Sequence, residues 1–368
     1  MKNYSIDKKR VLVTGACGTV GSELIKQLVQ SSAYSPTEII AVDNNENALF
    51  FLDQEYLYDK RIKVSFCDIR DRDSLTNLME GIDIVFHTAA LKHVVMMERS
   101  PEQALLTNIM GVQNVIHAAQ VQDAERVIFT SSDKAVNPTN VMGTSKLMGE
   151  RLITAANSNR KKARTIFAST RFGNVLGSNG SVFPIFRRQI ENNGPLTLTH
   201  YDMTRFVMSI EDSVAMVINS AHHARGGEIF ITKMPVVKIR DLAEAMINIF
   251  KPGSMSQNEN IEIKEIGTKP GEKLYEELMS SEETRRAMEL KDFFCILPAF
   301  RGLYHDIDYE YDSLITSDVS EPYNSATQKS LSKIEIVSLL RSYNLIDENH
   351  QLKFDNDRRY WPGDKETS

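Results

Sequence analysis

Short β-branched and aliphatic runs alternate with longer stretches whose apolar residues recur every three or four positions. The runs RVLVTG, EIIAVD, IKVSF, IDIVFH, RVIFTS and RTIFAST read as strands, and the segments between them as helices. That alternation predicts an α/β fold, a Rossmann-type doubly wound parallel sheet with crossover helices. The clearest helix spans about Glu102–Gln120. Ser100 caps it, Pro101 opens its first turn and Gln103 supplies the capping-box partner. Ala104, Leu105, Ile109, Val112, Val115, Ile116 and Ala119 then line one face.

Beyond Gly173 the pattern loosens. NVLGSNGSVFPIF and NNGPLTLTH are rich in Gly, Asn and Pro, as loops that close over a ligand require. Helices are predicted near Asp212–Ala224 and Ile239–Phe250 around the strand GEIFIT, with another after KPGEK. Weak patterning follows, apart from the acidic, Tyr-bearing HDIDYEYDS and a helix starting at Ser332 with Glu335 as its capping partner. The expected organisation is a dinucleotide-binding domain over residues 1–175, rejoined by a segment near 205–235. A smaller α/β substrate-binding domain over 176–300 and a C-terminal extension over 301–368 complete it.

A net charge of -6 across 368 residues argues against nucleic acid as a partner. Cys17, Cys67 and Cys295 lack metal-ligand spacing, so no metal is expected, and their small number fits a reducing compartment. No apolar run approaches the ~18–20 residues of a membrane span, and the charged start MKNYSIDKKR is not a signal peptide. The expected location is the cytoplasm.

Gly15, Gly18 and Gly21 form G-x-x-G-x-x-G between the first strand and a helix that opens at Thr19 and Val20. Glycine suits a turn of positive φ and a backbone that must approach a pyrophosphate, and the helix start offers free N–H groups. Asp43, followed by Asn44, ends the next strand at the fingerprint spacing for an acid on the adenosine ribose. No Arg follows it, so NAD is favoured over NADP. Asp68 and Ile69 after the third strand, and Ala89 and Ala90 after the fourth, are placed for the adenine and the centre of the dinucleotide.

Asp133 and Lys134 stand together just past the strand RVIFTS, behind Ser132, and Lys146 follows shortly after Gly143. With these pieces placed, the chain resembles the extended short-chain dehydrogenase/reductase superfamily, and within it the UDP-N-acetylglucosamine 4,6-dehydratases. The resemblance runs from about Lys9 to Leu297 and rests on VLVTGACGTVGSEL, HTAALKHVVMMERSPEQALLTNIMGVQNV, TSSDKAVNPTNVMGTSK, TRFGNVLGSNGSVFPIF, LTHYDMTRFVMSIEDSV and GTKPGEKLYEELMS. Where the superfamily carries the Tyr of Tyr-x-x-x-Lys, this chain has Met142, whose thioether cannot exchange a proton. That variant is similar to the branch whose membrane-bound members begin bacillosamine-type synthesis. Without their membrane domain, this chain is expected to be a free-standing soluble form.

The resemblance implies NAD-mediated oxidation of the sugar at carbon 4, loss of water across carbons 5 and 6, and re-reduction. Retention at carbon 5 and a role in bacterial surface polysaccharide or glycan synthesis are also implied. Lys134 would be the base, kept neutral by desolvation and by the nearby positive Lys146 and nicotinamide. Asp133 would take the 4-hydroxyl proton and deliver it to the departing 6-hydroxyl, with water held by Ser132 and Lys146 as the other route. Lys146 would hold the nicotinamide ribose, with Asn108 near it. Lys92, Asn174, Ser181, Arg205, Lys269 and Glu272 map onto substrate contacts. A homo-oligomer, dimer or higher, is expected. The competing readings are a nucleotide-sugar epimerase of the same fold and a non-catalytic NAD-binding regulator.

Overall fold

The computed structural model describes residues 4–159, 164–178, 181–251, 261–268, 271–300, 302, 304 and 307–346. The first half alternates strand and helix: β1 (Arg10–Thr14), α1 (Thr19–Gln30), β2 (Glu38–Asp43), α2 (Glu46–Glu55), β3 (Ile62–Phe66), α3 (Arg72–Leu78) and β4 (Ile84–His87). It continues through α4 (Val94–Arg99), α5 (Pro101–Ala104), α6 (Gly111–Val121), β5 (Arg126–Ser132), α7 (Val141–Ala156) and β6 (Ile166–Phe172). The second half holds β7 (Asn174–Val175), α8 (Val182–Glu191), β8 (Leu196–Leu198), β9 (Thr204–Met208), α9 (Ile210–His223), β10 (Ile229–Thr232), β11 (Val236–Lys238) and α10 (Ile239–Phe250). After these come β12 (Ile263–Glu265), β13 (Glu277–Met279), β14 (Ala287–Leu290), β15 (Phe293–Ile296), β16 (Leu314–Thr316), β17 (Tyr323–Asn324) and α11 (Lys333–Ser342).

A ten-stranded sheet runs β16-β14-β15-β10-β6-β5-β4-β1-β2-β3. From β10 to β3 neighbouring strands are parallel, while β15, β14 and β16 add on antiparallel. Both faces of the central strands β1, β2, β4 and β5 are covered, so their residues are buried on both sides, while the edge strand β3 is partly exposed. Val11 and Val13 of β1 face the layer that holds Leu24, Ile25, Leu28, Val214 and Val217 of α1 and α9. Leu12 faces the opposite layer, with Leu75, Val112, Val115 and Ile153 of α3, α6 and α7. The order of connections reverses between β1 and β4, so a crevice opens at the carboxyl ends of the strands, where such sheets bind ligands.

The smaller unit combines the β11-β9-β7 sheet and the β12-β8 pair with α8, α10 and α11. Its core packs Phe183, Phe186, Leu196, Leu198, Val207, Leu242 and Met246. Ile336 and Leu340 of α11 are fully buried in it. Each such aliphatic side chain contributes ~1.5–3 kcal/mol by leaving water.

Four sequence expectations change here. The helix expected over Glu102–Gln120 is interrupted by a π-helical stretch, Leu105–Met110, between α5 and α6. No helix follows KPGEK; β13 forms instead, because β17 supplies a partner from far along the chain. β14 and β15, expected in the substrate domain, extend the main sheet through the pairing of β15 with β10. The described residues beyond 300, placed by the sequence in a C-terminal extension, pack against both parts of the fold. Tyr309 and Tyr311 are buried, their hydroxyls donating to the Gly226 carbonyl at 2.7 Å and Glu228 Oε1 at 2.8 Å. Ser332 caps α11 with the expected capping box to Glu335.

Candidate active site

Three adjoining cavities follow the crevice, of about 340, 560 and 450 Å³. The first is lined by Gly15, Gly18, Asp43, Asn44, Asp68, Ile69, Ala89 and Ala90. Gly15 has φ +70°, and a Cβ there would lie 2.6 Å from the Ala89 nitrogen. A Cβ on Gly21 would meet the Gly15 carbonyl at 2.2 Å, so α1 can approach the turn only with glycine in place. No side chain caps α1 at Gly18, and no acid lies in its first turn, which leaves the positive end of the helix open to an anion. Asp43 accepts from the backbone N–H of Cys17 and of Asn45, both at 3.0 Å, fixing its carboxylate at the end of β2. These residues fit a dinucleotide.

Asp68 is less free than its sequence position suggests. Arg70 grips it through Nε and Nη2, and Asn44 donates to it at 3.2 Å. Arg70 holds its carboxyl down at about 2. Asn108 sits in the π-helical stretch, buried. It accepts from the Leu91 N–H at 2.8 Å and donates to the Leu91 carbonyl at 3.0 Å and to Ser145 Oγ at 2.9 Å. These bonds go to Leu91 and Ser145, not to Lys146, so Asn108 clamps the loop after β4 onto α7.

The central cavity gathers Thr19, Val20, Gly21, Lys92, Ser132, Asp133, Lys134, Met142, Lys146 and Asn174. β5 delivers Ser132, and a single 3-10 turn then presents Asp133 and Lys134. Ser132 Oγ donates to Asp133 Oδ1 at 2.6 Å, and Lys134 Nζ lies 3.0 Å from Oδ2. Gly143 lets α7 press against this turn, since a Cβ there would be 2.2 Å from the Lys134 carbonyl. Met142 is buried beside Met97 and Ala104.

The protonation pattern differs from the sequence expectation. Burial works against the charge of Lys134, but Asp133 and Glu276 outweigh it and hold the ammonium above its ordinary value. Asp133, also opposed by burial, is held low by Lys134 and Ser132. The lysine that burial depresses is Lys146, to about 8. It donates to the Thr130 carbonyl at 2.9 Å and lies over the Phe129 ring.

The third cavity adds Arg205, Glu272, Lys273, Glu276 and Glu277 to Asp133, Lys134 and Asn174. Arg205 already has carboxylate company, with Nε 3.2 Å from Glu276 and Nη2 3.7 Å from Glu272. Ser181 precedes α8 without a side-chain capping bond and is absent from the lining of all three cavities, and its buried Oγ finds no partner among the described residues. Lys269 lies outside the described residues. Glu276 is the residue that sequence reasoning missed. It is buried, 3.7 Å from Lys134 Nζ, and accepts from Asn174 Nδ2 at 2.8 and 2.7 Å. Burial and Asp133 push it up to about 7.

The polysaccharide biosynthesis protein family matches residues 11–298. The chain belongs to that family. An uncharacterized membrane protein of Methanocaldococcus jannaschii is 44% identical over 346 residues, 94% of this chain and 99% of that protein. The UDP-glucose 4-epimerase of Rickettsia bellii is 37% identical over 348 residues, covering 92% and 97%. The probable polysaccharide biosynthesis protein EpsC of Bacillus subtilis is 43% identical over 285 residues, 76% of this chain but 46% of that longer protein. Among solved structures, Pen from Bacillus thuringiensis superposes with a TM-score of 0.82 at 39% identity, over 92% of this chain and 99% of its own. The dTDP-glucose 4,6-dehydratase DesIV of Streptomyces venezuelae, solved with NAD bound, gives 0.62 at 21% identity over 72% and 86%, a likeness of fold.

One expectation is corrected by this family. The cytoplasmic placement is withdrawn, because the Methanocaldococcus relative, matched over nearly its whole length, is named a membrane protein. Among the described residues no helix is long and apolar enough to cross a membrane.

Proposed function

We propose that the protein is an NAD-dependent UDP-N-acetylglucosamine 4,6-dehydratase. Its product would be a UDP-2-acetamido-2,6-dideoxy-hexos-4-ulose, with carbon 5 retaining its configuration, for polysaccharide or glycan synthesis. The observation that carries the reading is the buried Asp133 in contact with Lys134 where the dinucleotide crevice meets the third cavity. Met142 stands at the position of the usual proton-carrying Tyr. NAD, when bound, supplies the reversible oxidation at carbon 4. Asp133 takes the 4-hydroxyl proton and returns it to the departing 6-hydroxyl. Lys134 removes the proton at carbon 5, made acidic by the neighbouring ketone. Lys146 and Asp43 bind the two riboses, and Lys92, Asn174, Arg205 and Glu272 surround the sugar nucleotide.

Incubation with UDP-N-acetylglucosamine tests this directly. The expected result is a product lighter by one water that develops a 4-keto chromophore in base. A second reading, a 4-epimerase, is favoured by the name of the Rickettsia relative; a product of unchanged mass with carbon 4 inverted would establish it. An NAD-binding protein that turns over neither way would be a regulator.

Two further outcomes are expected. Asp43→Ala should weaken NAD binding by about tenfold or more, the worth of a hydrogen bond to a charged group, and improve relative tolerance of NADP in a binding titration. Equal affinity of the unmodified protein for both cofactors would remove Asp43 from this role. Met142→Leu, close in volume, should cost little stability and little turnover. Met142→Tyr should not accelerate it, since Asp133 already carries the proton. A tenfold gain, about 1.4 kcal/mol of barrier, would identify the native site as an impaired Tyr site.

A further inference from the structure

Glu276 precedes β13 and is distant in sequence from Lys134, yet it closes the far side of the Asp133–Lys134 pair. Asn174 Nδ2 donates to both its oxygens, the Phe206 N–H donates to Oε2 at 3.3 Å, and Arg205 Nε stands 3.2 Å from Oε1. Its main chain is equally fixed. The Glu276 N–H donates to Ser325 Oγ at 2.9 Å, and the Ser325 N–H donates to the Glu276 carbonyl at 2.8 Å. A carboxylate this buried needs such a set of donors. Three of its partners, Lys134, Arg205 and Asn174, themselves line the third cavity.

The dehydratase reading, on which this inference rests, needs Lys134 as a neutral amine, whereas its surroundings favour the ammonium. We infer that Glu276 is the proton acceptor that converts Lys134 into the base. A nucleotide diphosphate entering the third cavity engages Arg205 and weakens its hold on Glu276. Lys134 then passes one proton across: an N–H bond breaks, an O–H bond forms on Glu276, and the lone pair stays on nitrogen. That lone pair takes the carbon-5 proton, the C–H electrons move toward the ketone, and the 6-hydroxyl leaves as water with the proton from Asp133. When hydride returns to carbon 6, Lys134 gives a proton back to carbon 5, and the proton held on Glu276 then passes back to Lys134, restoring the ammonium and the carboxylate.

The electrostatics run in the same direction. Burial and Asp133 raise Glu276, while Arg205, Lys134 and Asn174 lower it. Arg205 lowers both Glu276, on which it is the largest lowering influence, and Lys134, on which it is the smallest of the influences, so its engagement by an anion favours the carboxyl as proton acceptor. Of the remaining charges near it, Glu272 shares Arg205, and Lys273 is paired with Glu277 at 3.1 Å.

The experiment compares wild type with Glu276→Gln and Glu276→Asp in deuterated water, using UDP-N-acetylglucosamine. Mass and NMR report water loss and deuterium at carbon 5. Failure of the wild type to lose water would overturn both the dehydratase reading and this relay. With an active wild type, Glu276→Gln is expected to bind UDP normally but to lose kcat at least ~100-fold, the scale of a proton-transfer group, with carbon-5 exchange lost in step. Its residual rate should climb with pH, because hydroxide alone is left to strip Lys134. The wild type should instead lose activity below about 7, where Glu276 is already protonated and cannot accept. Glu276→Asp keeps the carboxyl at a longer reach, and should lose kcat at unchanged KM while keeping the acid limb. If Glu276 merely anchored Lys134, Glu276→Gln would free the amine and shift the profile to lower pH with kcat retained. That result, or an unchanged kcat in Glu276→Asp, would overturn the inference.

Discussion

Lys134→Ala is expected to lower turnover by at least ~100-fold, and Asp133→Asn by a similar factor, while bound NAD is retained. The two variants fail for different reasons. Removing Lys134 takes away the proposed base and also the cation shared by Asp133 and Glu276. Asp133→Asn keeps the hydrogen bond from Ser132 Oγ but cannot carry a proton between the 4- and 6-hydroxyls. Steady-state turnover with cofactor content measured on the same samples separates lost chemistry from lost binding. An Asp133→Asn enzyme of near-normal rate would place the proton path elsewhere, with water held by Ser132 and Lys146 the first candidate.

The largest effect on stability is expected at Arg171, which lines none of the three cavities. Its side chain is fully buried at the carboxyl end of β6. It donates to Glu150 at 2.9 and 2.6 Å, to Glu283 at 3.1 Å through each terminal nitrogen, and to the Leu278 carbonyl at 2.7 Å. Arg171→Met fills much of the volume but leaves two carboxylates in the interior without their cation, a change that costs about 3–5 kcal/mol. The pH dependence has a definite sign. Burial opposes ionised Glu283, but Arg171 overcomes it and holds the carboxyl below its usual value. This contribution is fully present above the unfolded carboxylate range and is lost only as pH falls below it, through the lower folded value. In the variant the orphaned acid binds a proton more readily when folded, so acidification relieves the damage. Urea unfolding midpoints for the two proteins should therefore lie far apart at about pH 7 and converge toward about pH 5. A gap that widened on acidification would mean that Glu283 is not held ionised by Arg171.

Much of the dinucleotide half was legible because its signals are local. Strand, glycine turn, helix and acid succeed one another along the chain, and Gly15, Gly18 and Asp43 line one cavity. Glu276 was not legible. It sits beside Glu277 in an identical-looking pair, and only the pairing of β13 with β17 determines which carboxylate meets Lys134. The same gap explains the misjudged lysines. From sequence, Lys134 had one carboxylate beside it; in the fold it has two, while Lys146 lies over an aromatic ring with a carbonyl for company. The antiparallel strands β14 and β15 were hidden for a related reason: FFCI is apolar throughout, and nothing local names β10 as its neighbour. In the tail a weak signal was available, since Ile307, Tyr309 and Tyr311 alternate with acids at a spacing of two.

The bond between Ser325 and Glu276 also orders the molecule in time. A ribosome emits the glycine turn, Asp43, the Asp133–Lys134 turn and Lys146 early, and the serine that secures Glu276 emerges much later. During synthesis, therefore, a nascent chain can assemble its nucleotide crevice while its sugar-side carboxylate still lacks its anchor.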